Sequence, residues 1–217
     1  MQELVKVNGI VIKAEPIGDF DRRVVILTAE RGKISAFAKG ARKPNSRFVA
    51  GTNPFVFACF HLYEGKSSYS INEIEVKNYF EELRMDYYGA FYGMYFLEMA
   101  DYYTRENNDE LDMLKLLFQS LRALMHDKFD NLLVRSIYEI KALVINGEFP
   151  GVDTRKQYNN ATLYAIDFIV KSSIEKLYTF TVTEEVINEL VQIATYARQL
   201  IINNNFKSLE ILDGFVM

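Results

Sequence analysis

The chain has 217 residues, 49% of them hydrophobic and 25% charged, with a net charge of −4; this is the make-up of a folded protein with a sizeable core, in one large domain or two small ones. The charge is uneven: residues 1–80 hold 12 Lys and Arg against 8 Asp and Glu, and residues 81–217 hold 13 against 21, so the two halves are expected to meet different partners. A single cysteine, Cys59, excludes an internal disulfide and fits a reducing compartment; no apolar run nears the ~18 residues of a membrane span, and the opening MQELVKVNGIVIK lacks the apolar stretch of a signal peptide.

Five short strands are predicted first. Leu4 to Ile12 is rich in Val and Ile, with Asn8-Gly9 expected to bulge or bend it. Glu15 to Asp21 reads as a turn, Arg22 to Thr28 as a second strand, and Glu30-Arg31-Gly32 as the tight link of a hairpin. Lys33 to Lys39 is the third strand, Phe55 to Tyr63 the fourth and Ser68 to Val76 the fifth. Five strands bent at Gly and Pro sites in about 80 residues fit a small closed barrel, of which the OB-fold is the commonest.

After Lys77 the hydrophobic period changes to that of helices. Tyr88, Phe91, Tyr92, Tyr95, Met99 and Tyr102 share one helical stripe, read as core rather than as a base-stacking surface. Leu111 to Met125 and Leu132 to Ile145 follow, with Asp109 and Asp130 near their starts as caps. Asn146-Gly147 ends the third helix, with Pro150 just beyond. Ala161 to Val170, a long helix opened by Thr183-Glu184-Glu185, and Phe206 to Leu212 complete the chain. The expected fold is α+β: a five-stranded OB-fold barrel over 1–80, then an α-helical domain over 81–217.

One stretch concentrates charge. Arg31 to Arg47, RGKISAFAKGARKPNSR, holds six cations and no acid. Alternation puts Lys33, Ser35, Phe37 and Lys39 on one strand face and Ile34, Ala36 and Ala38 on the other; Gly40 to Ser46 then has the composition of a loop. Cations flanking an aromatic, running into a basic loop, suit a phosphate backbone and an unstacked base. The blander reading is a solvated strand edge guarded by lysines. Lys33, Lys39, Arg42, Lys43 and Arg47 are the expected phosphate contacts. Arg22 and Arg23 are possible additions, of which one register allows only one on the outer face. Phe37 is the candidate stacking platform, unless its face packs on the helices.

Catalytic chemistry finds no foothold. His61 in a strand and His126 at a helix end have no second His or Cys at metal-ligand spacing, and His126 suits the negative end of its helix. Cys59, within the apolar run Phe55 to Phe60, reads as a small buried hydrophobe. Gly65-Lys66-Ser67 resembles the end of a phosphate-binding loop but lacks the glycine five residues before, where Phe60 stands; it reads as a hairpin turn. Asp19, Asp21 and Glu15 fall short of a calcium-loop ligand series. No nucleophile is paired with a base.

Several segments look familiar together: Gly9-Ile10-Val11-Ile12-Lys13, Asp21-Arg22, Gly32-Lys33-Ile34-Ser35-Ala36, Ala38-Lys39-Gly40-Ala41-Arg42, Ser46-Arg47-Phe48 and Asn53-Pro54-Phe55. With Gly147, Pro150, Leu163-Tyr164-Ala165, Glu175-Lys176-Leu177 and Phe206-Lys207-Ser208-Leu209, the chain resembles the RecO family of recombination mediators along nearly its whole length. The resemblance implies an OB-fold followed by a helical domain and a non-enzymatic role in DNA repair in the bacterial cytoplasm, at the nucleoid. It implies binding of single- and double-stranded DNA and annealing of complementary strands. It also implies work with RecR to load RecA onto DNA coated by single-stranded-DNA-binding protein, whose C-terminal tail the helical domain contacts. Many members carry a four-cysteine zinc module after the third helix. Here 151–160 is a short stretch without Cys or His, so no zinc or other cofactor is expected. Two rival readings stay open: a protein–protein adaptor, in which the acidic helical half matters most, and an OB-fold RNA binder.

Overall fold

The computed structural model describes residues 4–66 and 68–215. Met1–Glu3 of the opening segment, Ser67 of the Gly65-Lys66-Ser67 stretch and the last two residues lie outside the described residues. Five strands, β1 (Leu4–Ile17), β2 (Asp21–Thr28), β3 (Gly32–Ala38), β4 (Phe57–Glu64) and β5 (Tyr69–Asn78), close a barrel in the order β1-β2-β3-β5-β4. The closed five-stranded barrel is the expected OB-fold. β3 shows the alternation read from sequence: Ile34, Ala36 and Ala38 are buried, and Lys33, Ser35 and Phe37 are half-buried on the outer side. Val7, Val11, Val24, Ile26, Phe60 and Leu62 fill the interior with them.

The first strand differs from expectation. It runs on to Ile17, and its register shifts between Val11 and Lys13 rather than at Gly9. Gly9 is needed for a different reason. A Cβ there would lie 2.4 Å from the Leu27 carbonyl oxygen, so β1 can approach β2 only without a side chain. One of the two register shifts between β4 and β5 skips Asn72, because His61 faces Glu73 while Leu62 faces Ile71. A bulge leaves the extra residue outside the ladder, and the Asn72 carbonyl accepts a bond from Arg47 Nη2 at 2.8 Å.

The helical region comprises α1 (Glu81–Met85), α2 (Tyr87–Tyr103), α3 (Leu111–Leu124), α4 (Asn131–Ile145), α5 (Asn160–Lys171), α6 (Glu184–Ile201) and α7 (Lys207–Phe215). The expected caps form: Asp130 Oδ1 accepts from Leu132 N at 2.7 Å, and Asp109 Oδ1 from Leu111 N at 3.2 Å. Gly147, at φ +70°, turns the chain so that Glu148 N reaches Leu143 O at 2.8 Å, a glycine-terminated helix end. Thr183 precedes α6 without a side-chain capping bond. α1 and a 3-10 turn at Ile174–Lys176 were not anticipated, since segments so short carry no period.

The contacts divide the chain into two compact units. One is Met1–Glu81 with Leu97–Leu114; the other is Glu82–Phe96 with Lys115–Met217. In the first, the segment after α2 pairs with the β2–β3 hairpin: Lys33 N donates to Arg105 O at 3.0 Å and Asn107 N to Arg31 O at 3.1 Å. In the second, α4 is the central helix, with Leu133, Val134, Ile137, Tyr138 and Ile140 buried. The tyrosine-rich helix supplies core through Tyr92 and Tyr95 as expected, but Tyr88, expected on the same stripe, is exposed because it stands in the first turn of the helix. Tyr95 and Phe96 are fully buried, and Phe96 stacks on Tyr138 at 4.1 Å. Tyr87 and Tyr88 at its start are exposed.

Candidate nucleic-acid interface

The stretch between β3 and β4 is an ordered loop rather than a loose one. Ala41, Phe48 and Val56 are buried in the barrel's own core cluster, and Thr52 Oγ1 donates to Phe48 O at 2.7 Å. With these apolar residues committed inward, the polar residues between them are left to solvent. Lys39, Arg42, Lys43 and Arg47 are all exposed. Lys39, Gly40, Lys43, Ser46 and Arg47 line one open depression of about 510 Å³ together with Asp21, whose Oδ1 accepts from Gly40 N at 2.7 Å. Among the described residues none of these four cations lies within 4.0 Å of a carboxylate. Arg42 donates to Gly18 O at 3.2 Å and Arg47 to Asn72 O at 2.8 Å, contacts that position the guanidinium groups without cancelling their charge.

The other four expected residues are placed differently. Lys33 Nζ is held by Asp101, at 2.6 Å from its carbonyl and 2.8 Å from Oδ1, so its charge is already matched. Arg22 is half-buried and reaches Thr52 Oγ1 at 2.8 Å and Asn53 Oδ1 at 3.0 Å. Burial, and then the charge of nearby Arg42, hold its guanidinium below the usual arginine value. It braces the loop from inside. Arg23 takes the outer face, donating to Ser35 Oγ at 2.7 Å with Glu15 at 3.9 Å. Phe37 lies opposite Arg23 across β2 and opposite Ser70 across β5, half-buried.

Sequence reasoning passed over one aromatic. Phe20, in the β1–β2 turn, is 50% exposed. Arg42 N donates to its carbonyl at 2.8 Å, and Lys43 Nζ lies 5.5 Å from its ring centre. The turn and the basic loop therefore present an exposed ring beside exposed cations. The signal was available: an aromatic between Asp19 and Asp21, after Gly18, has no strand face on which to hide.

Two readings of chemistry change. Cys59 is not buried in the core; it lies half-exposed on the outer face of β4. Donor atoms of Cys59, His61 and Glu75 stand within 4.8 Å of one another, so a cysteine does neighbour a histidine. Residues two apart on a strand share a face, which brings Cys59 beside His61 without the ligand spacing of a helix or loop motif. His126 follows the end of α3, its N–H donating to Ala123 O at 3.1 Å. Where relatives of the expected family hold a zinc module, 151–160 offers no sulfur or imidazole donor. Asp153 there is gripped by Arg155 through Nε at 2.8 Å and Nη2 at 3.0 Å. The segment does not fit a structural zinc ion, which needs about four such ligands.

The sequence matches the family model for the recombination protein O N terminal over residues 1–80 and that for the C terminal over residues 84–154. It is 27% identical over 240 aligned positions to the DNA repair protein RecO of Acetivibrio thermocellus, covering 96% of each chain. With the RecO of Clostridium novyi it shares 27% over 242 positions, covering 97% of this chain and 94% of that one. A stretch of 147 positions, 68% of this chain and 60% of the relative, is 33% identical to the RecO of Alkaliphilus metalliredigens. A closed OB-fold barrel with a basic loop, continued by helices and matched from end to end by proteins of one name, places this chain in the RecO family of DNA repair proteins.

Proposed function

We propose that the barrel grips single- and double-stranded DNA at the β3–β4 loop and that this grip serves strand annealing. The observation that carries the reading is the set of four exposed cations outside any ion pair, with Lys39, Lys43 and Arg47 lining one depression and Arg42 in the same loop. Phosphate binding by such a set releases counterions and ignores sequence. Two strands whose charge is partly neutralised repel each other less, and loose contacts let their bases search for partners. No bond-making residue is required, so the protein acts as a mediator rather than an enzyme, and it needs no cofactor for this. Phe20 supplies a stacking surface beside the cations, a role for which it is better exposed than Phe37.

In this reading the barrel, residues 1–80, holds DNA, and the helical part, residues 81–217, serves protein partners. With RecR it helps load RecA onto DNA coated by single-stranded-DNA-binding protein, whose tail the helices receive, in the bacterial cytoplasm at the nucleoid. The family resemblance supports these steps. The test is a titration of labelled single strands with the full chain over a range of salt. About four phosphate contacts give a slope of log affinity against log salt near −3. A slope close to zero would overturn the reading. The same titration on strands coated with the binding protein tests the mediator step.

A further inference from the structure

The outer face of β4 and β5 carries a second constellation that the DNA reading leaves unused. Alternation puts Cys59 and His61 on the same side of β4. The register sets Glu75 directly across from Cys59 and Glu73 directly across from His61. Donor atoms of Cys59, His61 and Glu75 converge within 4.8 Å. Donors around a tetrahedral zinc ion at about 2.0–2.3 Å stand ~3.3–3.6 Å apart, so small side-chain rotations bring all three to one ion.

His61 supplies the independent sign of a missing ligand. Its residue is only 7% exposed, yet its Nε2 makes no hydrogen bond. Glu75 Oε1 stands 2.7 Å from that nitrogen without the alignment of a hydrogen bond. A buried ring nitrogen without a hydrogen bond is costly, and the Glu75 oxygen, at ion-pair distance from it, needs to move back by under 1 Å for both atoms to serve as donors to a common centre. On the other side of the ring, Glu73 Oε2 lies 3.6 Å from Nδ1. A carboxylate behind the second nitrogen is the usual device that orients a ligating histidine.

We infer that this face binds one divalent transition-metal ion of the zinc class, ligated by Cys59 Sγ, His61 Nε2 and Glu75, with Glu73 orienting the ring. Thiolate, imidazole and carboxylate together suit Zn²⁺ or Co²⁺ and do not suit Mg²⁺ or Ca²⁺, which take oxygen ligands. Cys59 gives its thiol proton to solvent as the metal–sulfur bond forms. Three protein donors leave a fourth position for water. The ion would tie β4 to β5 on the barrel's exterior. It is unrelated to a four-cysteine module, since this chain has one cysteine, and it stands independently of the DNA reading.

The test is a titration of the reduced, metal-free full chain with Co²⁺, followed by displacement with Zn²⁺. Saturation at one equivalent with a thiolate-to-cobalt charge-transfer band is expected. Cys59 is the only possible source of that band, so the wild-type protein alone can decide the matter. Cys59→Ser should remove the band, and Glu75→Gln should weaken Zn²⁺ binding about tenfold or more, with far-ultraviolet dichroism unchanged in both because these side chains reach solvent. Zn²⁺ should raise the melting temperature of the wild type and not of Cys59→Ser. Absence of saturable binding, or binding without the thiolate band, would show that His61 serves only as an ion-pair partner of the two glutamates and would overturn the inference.

Discussion

The loop after β3 and the middle of α4 use the same side chains to opposite ends. In the loop, Lys39, Arg42, Lys43 and Arg47 are exposed, and among the described residues none is in an ion pair. In α4, Arg135 and Lys141 are buried and fully occupied. Arg135 Nε donates to Glu139 Oε1 at 3.0 Å, and the same oxygen accepts from Tyr95 OH at 2.7 Å, with Arg198 Nε at 3.7 Å. Lys141 Nζ closes the end of α5, donating to Ile169, Val170 and Ser172 carbonyls at 3.2, 3.1 and 2.7 Å. Burial opposes the charge on Arg135, but Glu139 more than offsets it and lifts the guanidinium above its ordinary value. A cation held that way cannot be offered to a ligand. Charge alone therefore says little about function; the absence of a partner says more.

The largest expected effect comes from breaking the buried cluster. Glu139→Ala would remove the carboxylate that Arg135 and Arg198 share and leave Arg135 only Asp213, at 3.3 Å; removing one partner of a buried ion pair typically costs about 3–5 kcal/mol. Urea unfolding should show that loss, while DNA affinity per folded molecule stays as it was. A loss below about 1 kcal/mol would mean that water reaches the cluster and that the contrast with the loop is overstated.

The mirror experiment comes next. Exchanging Lys39, Arg42 and Lys43 together for Glu should lower DNA affinity on the order of a hundredfold or more at moderate salt, with the unfolding midpoint unmoved. Unchanged affinity would put the DNA site elsewhere. A fallen midpoint would mean these side chains support the loop, as Arg22 does. Smaller again is Phe20→Ala. If the ring stacks a base, the loss is about 1–3 kcal/mol of binding free energy, and the salt slope should not change because no charge is removed. An altered slope would mean that Phe20 works by placing Lys43 rather than by stacking.

What could be read from residues alone follows from range. The inner face of β3 needs only a period of two, and Ile34, Ala36 and Ala38 announce it. The cap at Asp130 and the stop at Gly147 need only local chemistry. The basic loop was legible because its charge is continuous in sequence. The pairing of Lys33 was not, because Asp101 lies 68 residues away, and the same distance problem hid the bracing of Arg22 by Thr52 and Asn53. Cys59 was misread because Phe55 to Phe60 is apolar on both faces: Phe57 and Cys59 look out while Ala58 and Phe60 look in. An unbroken apolar run conceals its own alternation.

The segment between α4 and α5 adds a third case to the comparison, a cation that is exposed yet paired. Arg155 is 79% exposed, and its bonds to Asp153, first those of the side chain and then that of its backbone N–H, pull that carboxyl down to about 2 from 3.8. Because the folded value is the lower one, the pair stabilises the fold above about pH 4, where the unfolded group is ionised too. That contribution fades as pH falls toward 2, where the folded group takes up its proton. Solvent screening around Arg155 keeps the effect small. The measurement is the difference in urea midpoint between wild type and Asp153→Asn, which should be present at about pH 5 and shrink toward about pH 2.5. A difference that stays constant across that range would show that Asp153 acts through neutral hydrogen bonds, which Asn cannot fully copy, and that this pair contributes no charge-dependent stability at all.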